Sequence, residues 1–259
     1  MKKILLPVHD PNDSATLDVG ISVAQRLERP LEILHVHEQE ETEVPLRELQ
    51  ALLKRAKNEG VEAELVVSFG KPIKEIVRAA HGIDLIVLKH RTYMNSIGSG
   101  LLRISDLEKA SEALSPVTKQ VVKKVSLPTL VTFGVASKMR HPIFAYNGSW
   151  SSTVAMRSAL LLMAHKMFRR GVVVYVGKVS EKANDALKKA VQLGKDFDVE
   201  LETCIIDGEP AHELLEAAVR FDADMLVMGA YGRSWIEYAV FGSVLDAILN
   251  QSTIPVFLA

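Results

Sequence analysis

The sequence predicts an α/β protein composed of two similar domains, each with a doubly wound parallel sheet. Short apolar runs rich in β-forming residues alternate with longer segments of helical period, in the order β-α-β-α-β-α-β-α-β. That order occurs twice along the 259 residues, a length that fits two modest domains. Most of the strand segments are almost continuously apolar, which is typical of parallel strands that helices cover on both faces.

Equivalent segments of the two halves can be matched one by one. Pro72 and Pro210 each follow a glycine by two positions, a spacing that ends a strand and starts a helix. The apolar pattern breaks at residues 137–142, so we expect one domain at residues 1–134 and a second at residues 141–259. The predicted strands lie at residues 4–8, 31–36, 63–68, 84–88 and 127–131 in the first half, and at residues 143–146, 172–176, 201–206, 224–228 and 254–258 in the second.

Composition excludes several classes of protein. Hydrophobic residues make up 48% of the chain, which excludes a predominantly disordered protein. The chain has 31 Lys and Arg against 32 Asp and Glu, and nucleic-acid binding needs a basic excess, so we expect no nucleic-acid partner. The single cysteine, Cys204, excludes an intramolecular disulfide and a Cys-rich zinc site, and its apolar neighbours predict a buried side chain.

The apolar segments are short throughout the sequence. The apolar run at the start of the chain is too short for the core of a signal peptide. No apolar stretch approaches the ~20 residues that a helix needs to cross a bilayer. We therefore expect no membrane partner and a cytoplasmic location.

One motif with chemical meaning follows the fourth strand of the second half. Gly229 and Gly232 are followed after nine residues by Gly242 and Ser243, the spacing G-x2-G-x9-G-(S/T). Glycines at a strand end let a phosphate approach the backbone, and the unpaired amides at the start of a helix attract it. Ser243 can cap that helix or bind a phosphate oxygen, and Arg233 adds positive charge. The other interpretation is structural, with the glycines forming a loop and Ser243 a helix cap.

With this motif and the repeated order of elements, the chain resembles the universal stress proteins of the tandem, two-domain type. The ATP-binding signature of that family has this spacing, and the resemblance extends over both halves. It implies a five-stranded sheet in each domain and a pseudo-dimer in which residues 128–132 and 255–258 meet at the domain junction. It also implies ATP as the ligand, with Mg²⁺ bridging the phosphates.

The resemblance further implies which residues hold the nucleotide. The motif glycines and Ser243 would hold the phosphates and the ribose, and Val176 would contact the adenine through its backbone. Asn147 stands where the family usually has an acidic residue, and it keeps hydrogen-bonding capacity without the charge. The complete predicted site consists of Tyr146, Asn147, Val176, Met228, Gly229, Gly232, Arg233, Gly242, Ser243 and Val244.

The first half departs from this motif. Lys89 and Thr92 replace the first two glycines, and the segment that follows has 22 residues instead of nine. Pro116 stands where the second half has Ser243, and proline has no amide hydrogen to donate to a phosphate. We therefore predict that the first domain does not bind ATP in the manner of the family and that its role is mainly structural.

Histidines lie at the ends of two predicted strands of the first half. His9 follows the first strand, and His35 and His37 lie on one face of the second strand because their positions alternate. One interpretation is a metal or small-anion site, since imidazole is a ligand for Zn²⁺. The other is a set of solvated or helix-capping histidines with no ligand.

Three functions fit the sequence. The leading one is a cytoplasmic ATP-binding regulatory protein of the stress response, with an unidentified protein partner and with a homodimer of the whole chain as a further level of assembly. The second is a slow ATPase or a nucleotidyl-transfer enzyme. The sequence has no Walker lysine and no evident general base, which argues against this function. The third is an interaction module with a vestigial nucleotide site, which the asparagine at position 147 keeps open.

Overall fold

A computed structural model of the chain describes residues 2–38, 43–90, 116–133, 137–230 and 243–259. The first half contains β1 (Lys3–Pro7), α1 (Ser14–Leu27), β2 (Leu31–His37), α2 (Leu46–Asn58), β3 (Ala63–Phe69), α3 (Pro72–Ala79), β4 (Ile83–Lys89), α4 (Pro116–Lys124) and β5 (Thr129–Thr132). The second half contains β6 (Pro142–Ala145), α5 (Trp150–Met163), β7 (Arg170–Val176), α6 (Glu181–Lys195), β8 (Glu200–Ile206), α7 (Pro210–Arg220), β9 (Met225–Met228), α8 (Ser243–Gln251) and β10 (Val256–Leu258).

All of these strands form one continuous sheet in the order β3-β2-β1-β4-β5-β10-β9-β6-β7-β8. The five strands of each half are parallel to one another, which confirms the predicted fold class. The two halves join where β5 and β10 pair in antiparallel fashion, with Leu130 opposite Phe257. The predicted junction of residues 128–132 and 255–258 is therefore confirmed.

Local sequence signals set the helix starts. Pro72 and Pro210 are the first residues of α3 and α7, where a proline loses no helical hydrogen bond. The Asp13 carboxylate caps α1 by accepting from the Thr16 amide, and the Ser149 hydroxyl caps α5 in the same way. These caps follow β1 and β6, so they bring helix N-termini to the carboxyl edge of the sheet.

Apolar side chains pack on both faces of the sheet. One cluster joins α1 and α2 of the first half with α5 and α6 of the second, and it includes the fully buried Leu17 and Phe144. On the opposite face, α7 and α8 form a cluster that reaches across the junction to Val122 of α4. Because burial of apolar area is the main favourable term in folding, these shared clusters bind the two halves together.

Polar contacts also connect the halves. Lys119 of α4 lies 2.8 Å from the carboxylate of Asp246 on α8. The Arg26 guanidinium at the end of α1 donates to the carbonyl oxygens of Lys138 and Met167. The segment between β5 and β6, which the sequence predicted as the domain boundary, is therefore attached to the first half as well as to the second.

One predicted core residue is less buried than expected. The Cys204 side chain is half-buried, because β8 lies at the edge of the sheet and pairs with β7 alone among the described strands. The prediction of a buried cysteine was therefore wrong, since part of the side chain is exposed to solvent. Within the described ranges, the structure contains no helix with both the length and the apolar character that crossing a bilayer requires.

Candidate functional site

The strand order of the second half reverses between β6 and β9, and we call the place beyond the carboxyl ends of these two strands the gap. β7 and β8 follow on one side, and β10 lies beyond β9 on the other. Because α8 leads from β9 to the parallel strand β10, it begins at this same edge. Doubly wound sheets bind their ligands at such a reversal. The structure thus brings seven predicted site residues to one edge: Tyr146, Asn147, Val176, Met228, Gly229, Ser243 and Val244. Gly232, Arg233 and Gly242 lie outside the described residues.

Asn147 organises the turn between β6 and α5. Its side-chain oxygen accepts from the Ser149 amide at 3.0 Å and from the Ser152 hydroxyl at 3.1 Å. Asn147 itself is exposed, and its side-chain amide nitrogen has no partner among the residues that the structure describes. The side-chain oxygen of Asn147 therefore stabilises the turn, and its amide nitrogen remains available as a donor within the described part of the chain. The sequence reasoning did not include Ser149 and Ser152 in the site, although an Asn-Gly-Ser segment before a helix is a recognisable cap signal.

Gly229 lies against the first turn of α5. A Cβ atom at this position would lie 2.6 Å from the carbonyl carbon of Ser151 and 2.8 Å from its carbonyl oxygen. Such distances are far shorter than van der Waals contact, so any side chain here would displace the start of α5. The sequence had suggested a different reason for this glycine, the approach of a phosphate. The structure adds a packing reason, since the end of β9 and the start of α5 come together only without a side chain.

The end of β7 presents backbone groups beside the gap. The Tyr146 amide donates to the Val174 carbonyl oxygen at 3.0 Å. In a parallel strand the polar groups of alternate residues point to the same side, so the Val176 amide and carbonyl also point toward β6. β6 ends at Ala145 and does not extend far enough to pair with them. Val176 thus offers one donor and one acceptor at the predicted position of the adenine.

Two predicted residues have buried side chains. Tyr146 is 4% exposed, and its hydroxyl lies 3.1 Å from that of Thr153, within the packing of α5 on the sheet. Met228 is 7% exposed and belongs to the apolar cluster beneath α8. Only the backbone atoms of these residues can therefore meet a ligand. Ser243 is exposed as the first residue of α8, and Val244 is half-buried behind it.

The corresponding edge of the first half is closed by an ion pair. Lys89 occupies the position of Gly229, since the amides of the following residues, His90 and Ala230, each bond to the equivalent residue of the last strand. The Lys89 ammonium lies 2.5 Å from the carboxylate of Asp13, the cap of α1. Burial raises the pKa of the Asp13 carboxyl, but hydrogen bonds from Lys89 and Thr16 outweigh it and hold that pKa below its ordinary value. The pair connects β4 with α1, and among the described residues no ion pair connects β9 with α5 in the second half.

The histidines of the first half have structural contacts. The buried His35 ring lies 3.0 Å through Nδ1 from the Val8 carbonyl oxygen, and its centroid is 6.2 Å from that of His37. His37 packs edge-on against Phe69, and His9 is exposed. In the described parts of the chain, no three His, Cys, Asp or Glu side chains come together as a metal site would require. The structure brings His35 and His37 together on one strand face, without a metal-ligand set around them.

Comparison with known proteins finds one family with a similar sequence. Residues 177–259 match the model of the universal stress protein family. A universal stress protein of Methanocaldococcus jannaschii is 31% identical over 80 residues, which are 31% of this chain and 47% of the relative. A universal stress protein of Synechocystis is 30% identical over 152 residues, which are 53% of this chain and 48% of the relative. The chain spans about half the length of the curated relatives it matches.

The fold comparison extends over both halves. The crystal structure of a universal stress protein from Archaeoglobus fulgidus aligns with 99% of this chain and 97% of its own, with a TM-score of 0.76 and 17% sequence identity. At this level of sequence identity, the alignment shows that the two proteins share a fold, and it says nothing about a ligand of this chain. Residues 177–259 are thus similar in sequence to the universal stress protein family, and both halves of the chain share the fold of a universal stress protein.

Proposed function

We propose that this chain binds ATP at the carboxyl edge of its second half and acts as a nucleotide-dependent regulator in a cytoplasmic stress response. The first half serves mainly as the structural partner of the second in a pseudo-dimer, with domains at residues 1–134 and 141–259. One observation carries the proposal: Lys89 forms an ion pair with Asp13 at the carboxyl edge of the first half, whereas the equivalent position of the second half is Gly229, which has no side chain to place there.

The open edge offers suitable groups at each end of a nucleotide. The Val176 backbone has a donor and an acceptor that fit the amidine edge of adenine, and the Asn147 amide can donate to the ribose or the base. The amide at the start of α8, beside the Ser243 hydroxyl, has no partner within the helix and lies at the positive end of the helix dipole. With Gly232, Arg233 and Gly242 from the sequence motif, these groups would hold the triphosphate.

The residues at this edge do not fit a protein-held Mg²⁺. Within the described ranges no cluster of three potential ligands occurs, and the side-chain oxygen of Asn147 already accepts two hydrogen bonds. Mg²⁺ prefers several oxygen ligands in octahedral geometry. The Mg²⁺ that the family resemblance implies would therefore be held by phosphate oxygens and water.

The position of α8 connects nucleotide binding to the first half. α8 starts at the proposed phosphate site, and one turn further its Asp246 carboxylate contacts Lys119 of α4. A ligand that binds only the native state stabilises it by RT ln(1 + [L]/Kd), about 2.7 kcal/mol at a hundredfold excess over Kd. ATP would thus favour the arrangement in which α8 and α4 are in contact, which a protein partner can recognise.

A calorimetric titration with ATP and Mg²⁺ tests this proposal, with nucleotide turnover followed in parallel. We expect one ATP per chain, negligible ADP release and no binding to Gly232→Val, in which a branched side chain would meet the phosphates. Thr92→Val, at the matching position of the first half, is the control and should bind ATP like the wild type. Two ATP per chain, equal losses in both variants, or no binding at millimolar ATP would contradict the proposal. Sustained ADP release would favour the slow ATPase instead.

A further inference from the structure

A second polar cleft lies at the opposite, amino edge of the second half. It has a volume of about 440 Å³ and is bordered by the starts of β7 and β8 and by the segment that leads into β6. Its lining includes three arginines, Arg140, Arg169 and Arg170, together with the buried Phe168, and Glu200 is the one carboxylate among the lining residues. β7 runs from Arg170 at this cleft to Val176 at the proposed ATP site, and seven residues of strand separate them by roughly 20 Å.

The three arginines of this cleft are not neutralised by their surroundings. All three are exposed, and no acidic side chain of the described residues lies within ion-pair distance of any of them. The nearby Asp224 carboxylate accepts instead from the backbone amides of Arg140 and His141, at 2.9 and 2.7 Å. Burial lowers the pKa of the adjacent Arg26 guanidinium, and the positive charge of Arg140 lowers it further. The cleft therefore carries an excess of positive charge.

The equivalent edge of the first half is neutralised, which shows that the fold does not require this excess. There Asp84, the counterpart of Asp224, pairs with Lys2 at 3.1 Å and with Arg29 at 3.5 Å. Lys3 pairs with Glu32 at 3.3 Å and also contacts Glu64. The same edge of the same fold thus has paired charges in one half and unpaired arginines in the other.

We propose that this cleft binds a small anion that carries at least one phosphate group. Guanidinium groups form paired hydrogen bonds with phosphate oxygens, and three of them around one cleft can contact several oxygens at once. The volume falls within the range of ordinary small-molecule sites, which is roughly 300–1,000 Å³. The proposal is independent of ATP binding at the opposite edge, because it uses different residues at the other end of the strands.

The test is a titration of the ¹⁵N-labelled full chain with inorganic pyrophosphate at low salt, followed by the backbone amide signals. We expect saturable shifts at residues 140–141 and 169–170, and a Kd that is weakened roughly tenfold or more in the double variant Arg169→Gln/Arg170→Gln. The control is Arg157→Gln, which removes an exposed arginine of α5 outside the cleft and should bind pyrophosphate like the wild type. A thermal melt of each variant checks that it is folded.

Two further experiments show which kind of phosphate compound binds the cleft and distinguish this binding from ATP binding at the carboxyl edge. AMP that binds more tightly than inorganic phosphate, with shifts at the same residues, would support a nucleotide as the occupant, and equal affinities would support an inorganic anion. Gly232→Val, which should abolish ATP binding, should leave these shifts unchanged. The inference is overturned if the double variant binds pyrophosphate like the wild type, if Arg157→Gln loses as much affinity, or if the shifts occur only around Gly229 and Ser243.

Discussion

The two halves of this protein build the same sheet edge and use it differently. In the second half, the carboxyl ends of β6 and β9 lie beside the serine-capped start of α5, and the strand end carries a glycine, Gly229. In the first half, Lys89 crosses the equivalent space to the carboxylate of Asp13. The comparison teaches that a doubly wound sheet supplies only the place for a ligand, and that the residues after its strands decide whether the place stays open.

Loop length explains how one fold accommodates both arrangements. Six residues separate β1 from α1, and four separate β6 from α5. With the shorter loop, the first turn of α5 comes so close to β9 that only a glycine fits at position 229. The longer loop of the first half leaves room for a lysine, and it places an acidic cap within reach of that lysine.

The largest expected effect comes from transferring the lysine to the second half. Gly229→Lys would place a Cβ against the backbone of Ser151 and a cation in the gap, so we expect ATP binding to become undetectable. The displaced start of α5 should lower the free energy of unfolding by roughly 2–3 kcal/mol. Calorimetry with ATP and urea unfolding measure the two effects. Retention of ATP affinity within about threefold of the wild type would mean that the gap is not the binding site.

A smaller effect is expected at the next position, where His90 of the first half replaces Ala230 of the second. Burial, with a contribution from the charge of Lys119, lowers the pKa of the His90 imidazole to about 4. Between pH 6.5 and that value the unfolded chain binds a proton that the folded chain does not. The free energy of unfolding should therefore decrease as the pH is lowered through this window, by roughly 1–2 kcal/mol from pH 7 to pH 5. Urea unfolding at both pH values measures this loss.

The variant His90→Ala introduces alanine, the residue at the equivalent position 230 of the second half, and it is the control for this pH effect. It should lose less stability than the wild type between pH 7 and pH 5, whatever its stability at pH 7. Lys119→Met should raise the pKa of His90 and should also reduce the loss, because the second cause of the lowered pKa is removed. The same loss in all three proteins would show that another group is responsible.

The smallest effect is expected from removing the ion pair that closes the first half. Lys89→Met leaves the Asp13 cap without its cation, and because the pair is partly exposed we expect a loss of no more than about 1 kcal/mol at pH 7. The difference from wild type should shrink as the pH falls through the lowered pKa of Asp13, where the carboxyl becomes protonated. Lys188→Met, which breaks an exposed pair with Asp185, should change stability very little. An equal loss in both variants would contradict a specific role for Lys89.

Local patterns in the sequence were sufficient for the fold and for much of the site. The apolar runs predicted where the strands lie along the chain, and the Gly-Lys-Pro and Gly-Glu-Pro segments predicted the starts of α3 and α7, because each signal depends on neighbouring residues only. The contact of Lys89 with Asp13 joins residues 76 positions apart, and neither segment reveals it alone. Met139 was expected in a break between domains because Lys138 and Arg140 flank it, yet it is fully buried once both halves pack around it.

The most direct test of the difference between the halves is a crystal structure of the chain grown with ATP and Mg²⁺. We predict electron density for one nucleotide, with the adenine beside the Val176 backbone and the phosphates beside Gly229 and Ser243. The first half should keep Lys89 in contact with Asp13. A nucleotide beside Lys89, or density for ATP away from both carboxyl edges, would contradict the account.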